Sequence, residues 1–482
     1  MEWLAWFDAP QYEFARQAMQ RGTAALYLLA FLSTALQFPA LLGERGLLPV
    51  RRFLDTPYGR RQPTVFRWHY SDRMLRILCA AGILVAALLV LGIPQLGPPW
   101  LPMLCFLAMW AGYLSIQTVG QTFYAFGWES LLLEAGFVVA FLGSNEVAPP
   151  LLILIFLRWL VFRLEFGAGM IKLRGGREWR DLTALNYHHE TQPMPGPLSR
   201  WAHLLPPWFH RIEALGNHAA QLVVPFFLFL PQPVASIAGA IVIATQLWLV
   251  LTGNFAWLNW ITIVLALAAV SDGAVHAVLP GWPVAHDYAP TPLWFTILVI
   301  GVTAGLLALS WPPLRNLLSR RQLMNASFNR FHLVNAYGAF GTVTRERYEV
   351  VVEGTLAELP SEEDWVEYPF KGKPGDPRRV PPQVAPYHLR LDWLMWFLAL
   401  GSRDDGWFRT LLLRLLEGDR ATLRLLDHDP FDGERPQWVR ARLCRYRFAT
   451  RVERRREGLW WVREDAGSYA RPVRLPDEEP AR

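Results

Sequence analysis

The sequence has 482 residues, of which 52% are hydrophobic and only 18% are charged. Soluble domains are about one quarter charged, so the composition excludes an ordinary soluble protein, while a chain this apolar buries too much surface to be disordered. Three Cys exclude a disulfide-rich secreted module. The net charge is +6, but the Arg residues are scattered and no nucleic-acid fold signature is present. We therefore expect no nucleic-acid partner.

Uncharged runs predict membrane helices in the first two thirds of the chain. Four runs lack Asp, Glu, Lys and Arg: residues 22–43, 77–128, 214–271 and 288–314. The two longest contain 52 and 58 residues. A bilayer span needs roughly 20 apolar residues, so each long run holds two or more spans. Adding two charged spans, near residues 122–143 and 151–171, predicts about nine spans and a polytopic α-helical membrane protein.

The sequence changes character after residue 314, where arginine-rich polar segments begin. Residues 348–354 and 441–451 have strand-like composition, and residues 388–400 and 407–417 have helical spacing. These patterns predict a C-terminal soluble α+β domain. The predicted divisions are a transmembrane core (1–314) that includes a polar His-rich loop (172–213), a soluble α+β domain (315–470) and a charged tail (471–482).

Basic loops predict which parts of the chain share a membrane face. Residues 44–76, 172–213 and 315–347 follow the first, fifth and ninth predicted spans, so they lie on one side. The His-rich loop and the C-terminal domain should therefore face the same compartment. The positive-inside rule would make that compartment the cytoplasm.

Most of the residues that could take part in catalysis or binding lie between residues 163 and 218. Arg163 and Glu165 lie inside an apolar helix, where an ionisable residue marks either a functional site or a structural ion pair. Glu165 and Lys172 are seven residues apart and share a helix face. Lys172 lies where that helix reaches the membrane surface. It is either a base with a perturbed pKa or a cation that extends toward the headgroups.

His188, His189 and Glu190 form a compact group that is followed by three further His residues. This spacing is not a helical pair of metal ligands, and no Cys supports it. We therefore expect no metal. The sequence also has no serine-hydrolase elbow, P-loop or Rossmann fingerprint, so we expect no cofactor.

Several long segments resemble the lipase maturation factor family, among them KLRGGREWRDLTALNYHHETQPMPGPLSRW, TGNFAWLNW and FGTVTRERYEVVVEGT. The resemblance runs from about Arg163 to Phe448. It implies a multi-pass protein of the endoplasmic reticulum that helps homodimeric lipases fold and assemble, with the large loop and C-terminal domain in the lumen. The low Cys content and the strong preference for Arg over Lys fit a bacterial relative, for which we expect the inner membrane.

The resemblance also implies a set of motif residues, which are Lys172, Trp179, Asp181, His188, Glu190, Gln192, His210, Glu213, Asn217 and His218. The expected client or core motif consists of Arg163 and Glu165 of the apolar helix and of these residues other than Lys172, His188 and Glu190. His189 departs from the pattern, because an aromatic residue is familiar at that position.

A shorter segment, AGMIKL followed by Trp179, resembles the membrane core of vitamin K-dependent carboxylases. Two function classes therefore stay open. The first is a non-enzymatic factor that binds a client such as a secreted lipase and contacts membrane lipids, with aromatic anchors around Trp201 and Trp208. The second is a membrane enzyme acting on a lipid or quinone, with Lys172 as base and His188 and Glu190 handling protons. The enzyme hypothesis requires these three residues and His210 to meet in one cavity.

Overall fold

The computed structural model describes residues 6–281, 287–402 and 406–476. The chain folds into a helical core of about 320 residues, followed by a small antiparallel sheet with its own helices. Residues 477–482 of the predicted charged tail lie outside the described residues.

The N-terminal third is built mostly from long apolar helices. Its helices are α1 (Glu13–Leu41), α2 (Val50–Leu54), α3 (Asp72–Leu91), α4 (Trp100–Gln117), α5 (Gly127–Val139) and α6 (Leu151–Arg174). The connection between α1 and α3 is long and basic, and the later connections are short and contain no Lys or Arg. Local signals fix the ends of α3. The Ser71 hydroxyl accepts a hydrogen bond from the Met74 backbone N–H, and Gly92 ends the helix with a left-handed φ of 81°.

The predicted His-rich loop is itself mostly helical. It contains α7 (Arg177–Arg180), α8 (Leu185–Thr191), α9 (Ser199–His203) and the beginning of α10 (Pro207–Leu222). The chain then continues through α11 (Val224–Phe227), α12 (Val234–Thr252), α13 (Leu258–Ala266), α14 (Asp272–Val278), α15 (Leu293–Leu309) and α16 (Trp311–Leu318). Pro207 occupies the first turn of α10, where its missing N–H costs nothing.

Nine membrane spans are not confirmed. In the described part of the chain, five helices are long and apolar enough to cross a membrane: Pro10–Leu41, Asp72–Leu91, Trp100–Gln117, Val234–Thr252 and Leu293–Leu318. The count reaches six if Leu258–Ala269 and Asp272–Val278 form one span, although they meet at a bend of 107°. Helix α5 has only 13 residues, and α6 carries too many charges to meet the same criterion. The long run at 214–271 supplies only one helix that qualifies by itself, Val234–Thr252.

The C-terminal part contains a four-stranded antiparallel sheet with the order β2-β1-β3-β4. The strands are β1 (Arg347–Thr355), β2 (Val366–Glu367), β3 (Trp438–Phe448) and β4 (Trp461–Val473), and the helices are α17 (Arg390–Ala399), α18 (Trp407–Leu416), α19 (Arg420–Leu423) and α20 (Arg451–Glu457). Central pairing places Val350 opposite Leu443. The predicted strands and helices thus correspond to β1, β3, α17 and α18. The edge strand β4, with mostly exposed side chains, was not predicted.

The C-terminal domain packs directly on the helical core. The Arg347 guanidinium donates hydrogen bonds to the backbone oxygens of Glu190 and Pro193, both at 3.0 Å. Near the end of α1, the Gln37 side chain donates to the His388 oxygen at 2.6 Å and accepts from the Arg390 N–H at 3.0 Å. Three of these four contacts are buried, so the C-terminal domain forms one continuous body with the His-rich segment and the end of α1.

Candidate functional site

Helices α6, α10, α12 and α13 surround a cavity of about 910 Å³. Its walls are largely apolar, and they include Trp393 and Phe397 of the C-terminal domain. The polar and titratable side chains that line it include Glu165, Lys172, His188, His189, Glu213, Asn217, Gln221, Gln246 and Asn259. Glu165 and Lys172 line the same cavity, as their spacing on α6 predicts. A mostly apolar cavity with a few convergent polar groups is the usual form of a small-molecule site.

Lys172 is buried at 6% exposure and is held by two amide side chains. Its Nζ donates to Asn217 Oδ1 and Gln221 Oε1, both at 2.9 Å, and lies 4.5 Å from the centre of the Trp179 ring. The amide dipoles and the π face of the indole stabilise the cation without a direct carboxylate contact. Lys172 is therefore an enclosed cation of the α6–α10 interface.

Glu165 connects to Lys172 through Gln221. The Gln221 amide nitrogen donates to Glu165 at 3.2 Å, while its oxygen accepts from Lys172. Gln246 also donates to Glu165, at 2.7 Å, and accepts from Asn259 at 2.7 Å. This network spans α6, α10, α12 and α13. Since every member has a partner, it fixes the relative positions of the four helices.

Arg163, two residues before Glu165, belongs to a separate cluster. Its guanidinium forms a buried ion pair with Glu134 of α5 and donates to the Asn335 oxygen at 2.7 Å. The Tyr337 hydroxyl donates to Glu134 at 2.7 Å. The geometry is that of a structural ion pair, one of the two alternatives that the sequence left open.

His188 lines the cavity between two phenylalanines. Its ring lies nearly parallel to Phe255, with centroids 6.2 Å apart, and 5.5 Å from Phe340. Burial, aided by repulsion from His189 and Lys172, lowers the pKa of His188 to about 3. The imidazole is therefore neutral at physiological pH.

Glu190 and His210 do not line the cavity. The Glu190 carboxylate accepts a hydrogen bond from the Phe448 N–H at 2.7 Å and lies 3.4 Å from His203 Nε2. Burial raises the pKa of Glu190 against the opposing effect of that bond. Glu190 therefore holds β3 against the His-rich segment. The four residues that the enzyme hypothesis requires do not meet in one cavity.

His210 lies behind the cavity wall, in a cluster with His189 and Glu213, which both line the cavity. The candidate ligand atoms of the three residues lie within 4.8 Å of one another. These three residues could hold a metal ion. Here Glu213 lies 3.5 Å from His189 Nε2 and 3.4 Å from His210 Nδ1, and accepts a 2.6 Å bond from Trp248 Nε1. Burial alone would raise the pKa of Glu213, but the two His partners lower it to about 2. The carboxylate is thus ionised and crosslinks α8, α10 and α12.

The remaining predicted residues brace the same segment. Trp179 Nε1 donates to the Phe340 oxygen at 2.8 Å, and His218 Nε2 lies 3.0 Å from the Trp179 oxygen. Gln192 donates to the backbone oxygens of His189 and Thr252 at 3.0 and 2.8 Å. Asp181 is exposed at the end of α7.

Sequence reasoning missed the neutral polar partners. Gln221, Gln246 and Asn259 lie in the longest uncharged run, residues 214–271, where the absence of charge predicts only membrane helices. Burying an amide side chain in an apolar span costs free energy unless the amide is hydrogen-bonded. Three amides in predicted spans therefore indicate a buried polar network.

Two family models match the chain in order. The Lipase maturation factor transmembrane domain matches residues 14–277, and the Lipase maturation factor C-terminal domain matches residues 333–471. The chain belongs to the lipase maturation factor family.

Curated relatives agree with this assignment. This family member is 40% identical to mouse Lipase maturation factor 1 over 501 residues, covering 96% of this chain and 87% of the relative. It is 40% identical to the human protein of that name, with 96% and 88% covered. It is 30% identical to chicken Lipase maturation factor 2, with 96% and 82% covered. No solved structure matches.

The comparisons also bear on two other expectations. The carboxylase resemblance gains no support, because both matching models and the relatives above are lipase maturation factors. The expected bacterial inner membrane gains no support either, because these relatives are animal proteins. A multi-pass membrane protein is supported by the transmembrane model and by the apolar helices.

Proposed function

We propose that this chain is a non-enzymatic membrane factor that assists the folding or assembly of secreted lipases. The observation that carries the proposal is its similarity to lipase maturation factors over 96% of its length, which includes both the membrane core and the C-terminal domain. The separation of Glu190 and His210 from the cavity of Lys172 disfavours the enzyme hypothesis.

The client would contact the His-rich segment and the docked C-terminal domain. Trp201 on α9 is 53% exposed and Trp208 on α10 is 62% exposed, although large aromatic side chains usually bury most of their surface. Trp is among the residues that most often anchor protein interfaces. In the C-terminal domain, strand β4 forms an exposed edge of the sheet, which a client could also contact.

The buried polar residues would serve this function by shaping the surface from below. Lys172, Glu165 and Asn217 hold α6 against α10, and Glu213 holds α10 against α8 and α12. Because α10 carries Trp208, these contacts set the position of the aromatic anchor. The role proposed for the motif residues is therefore structural support of a client-binding face.

The face would be exposed to the compartment in which lipases fold. Short or charged helices such as α5 and α6 would complete the membrane bundle, since the long apolar helices shield their polar groups. Cysteine labelling of single-Cys variants at Trp208 and Tyr469 should report the same side for both positions.

A co-expression experiment tests the function. A secreted lipase is expressed in cells lacking their own maturation factor, with the full chain or an empty vector. We expect the chain to raise lipase activity per amount of secreted lipase antigen, and to leave a secreted non-lipase reporter unchanged. Equal specific activity with and without the chain would contradict the proposal, as would an equal effect on the reporter.

A further inference from the structure

Four arginines converge where the His-rich segment meets the C-terminal domain. Arg200 of α9 and Arg451, Arg454 and Arg455 of α20 line one cavity of about 360 Å³, together with Gly458. Arg200 comes from a helix about 250 residues earlier in the sequence. The cavity exists only because β3 docks on the His-rich segment, where Arg200 Nε donates to the Ala449 oxygen at 2.8 Å.

Arg200 is buried at 8% exposure, and its Nη2 has no hydrogen-bond partner in the described part of the chain. Burying a guanidinium nitrogen without a hydrogen-bond partner is costly. Burial and repulsion from Arg454 and Arg451 lower the pKa of Arg200. The side chain is therefore held in an environment that disfavours its charge while its free donor has nothing to bind.

No carboxylate of the described residues forms an ion pair with any of the four arginines. Helix α20 carries two acids. Glu453 accepts from Arg447 at 2.6 Å and from the Thr450 backbone at 2.8 Å, and Glu457, the last residue of the helix, forms no ion pair with the described residues.

Helix geometry explains part of the cluster but not all of it. Basic residues near a helix C-terminus are stabilised by the helix dipole, which accounts for exposed arginines in the last turn of α20. It does not account for Arg200, which belongs to another element. Trp460 joins the two sides, because the Arg200 and Arg454 guanidinium carbons lie 5.6 and 4.1 Å from its ring centre.

We propose that this arginine cavity binds a phosphate group. A phosphate monoester carries nearly two negative charges and three strong acceptor oxygens, which suits several guanidinium forks better than a single carboxylate does. Arg is preferred over Lys where such bidentate recognition occurs. The phosphate is either free in solution or the headgroup of an anionic lipid, since Trp201 beside Arg200 is 53% exposed and Trp is common at membrane surfaces.

Thermal unfolding of the full chain in phosphate-free detergent tests the site. Inorganic phosphate, dihexanoyl phosphatidic acid below its micelle concentration and dihexanoyl phosphatidylcholine are titrated at constant ionic strength. We expect phosphatidic acid, inorganic phosphate or both to raise the melting temperature with saturation. A half-saturating concentration at least about tenfold lower for phosphatidic acid assigns the lipid headgroup, and similar concentrations assign free phosphate. An equal effect of phosphatidylcholine, or no saturable effect at all, would overturn the proposal.

Variants localise the effect. R454Q/R455Q should raise the half-saturating concentration at least about tenfold, whereas R456Q/R471Q, which also removes two exposed arginines but from outside the cavity, should not. Equal losses in both variants would show unspecific attraction and overturn the site. If R454Q/R455Q unfolds without ligand, R454K/R455K keeps the charge and removes the forks. Wild-type affinity in that variant would also overturn phosphate recognition by the guanidinium groups.

Discussion

Arg390 of helix α17 forms a buried ion pair with Glu129 of helix α5, with 2.6 Å between Nη1 and Oε1. Both side chains are fully buried. The same Arg390 nitrogen donates to the Phe123 oxygen at 2.9 Å, and the Tyr113 hydroxyl donates to the other Glu129 oxygen. The buried positive charge of Arg390 in the C-terminal domain is thus neutralised by the buried negative charge of Glu129 in the membrane core. The C-terminal domain and the membrane core should therefore fold as one unit.

Glu129→Gln tests this coupling. The variant leaves the Arg390 charge buried without a carboxylate, which typically costs about 3–5 kcal/mol. We expect a strong drop in the melting temperature of the purified protein, with loss of the C-terminal domain in the same transition. Glu44→Gln is the matched control, because its pair with Arg51 is 42% and 58% exposed and should contribute less than about 1 kcal/mol. Equal effects would contradict the coupling.

The sequence predicted individual helices and strands better than it predicted side-chain contacts between distant residues. The alternation in residues 441–451 predicts β3, and the spacing in residues 388–400 predicts α17, because both patterns reflect one face of an element. Nothing local indicates that Arg390 pairs with a residue 261 positions earlier. For the same reason Lys172 and Glu165 could be assigned to one face, while their link through Gln221 could not. Strand β4 was missed because most of its side chains are exposed, so it lacks the apolar alternation of a half-buried strand.

Arg347 is expected to hold the C-terminal domain on the His-rich segment. It is 1% exposed and donates to backbone oxygens there. Arg347 also forms a buried ion pair with Glu349, and Lys373, 3.1 Å from the same carboxylate, remains as its partner if Arg347 is replaced. Arg347→Met should therefore loosen the contact and increase chymotrypsin cleavage within residues 185–205 by several fold. Arg345→Met is the control, since its side chain is 68% exposed and pairs with Glu178. Unchanged cleavage in Arg347→Met would contradict the docking role.

His188 should make the protein less stable in acid. Its pKa is about 3 in the folded chain against 6.5 when unfolded, so the unfolded state binds more protons between these values. Stability is therefore complete above about pH 6.5 and falls as the pH drops toward 3, by about 2 kcal/mol at pH 5. His188→Phe should remove this part of the decline in melting temperature from pH 8 to pH 5. His428→Phe, at a side chain 66% exposed, should keep the wild-type slope.

Lys172→Met separates structural support from chemistry. The variant removes the cation that Asn217 and Gln221 bind, so we expect less folded protein. Lipase maturation per amount of folded protein should stay within about twofold, because Lys172 would act through the position of α10. The folded amount is measured by size-exclusion chromatography and the activity by the co-expression assay. A loss above about tenfold per folded protein would instead indicate that Lys172 acts directly.

Trp208 provides the sharpest test of client contact. The side chain is 62% exposed, so Trp208→Ser removes an anchor without opening a cavity in the core, and the melting temperature should change little. Truncating an interface anchor commonly costs about 2 kcal/mol or more of binding, which corresponds to roughly a thirtyfold weaker complex. We expect less co-purified lipase and lower lipase-specific activity in the co-expression assay. Trp68→Ser removes an 83% exposed Trp from a loop before α3 and should retain both. Equal lipase recovery from the two variants would place the client surface elsewhere, with the β4 edge as the next region to alter.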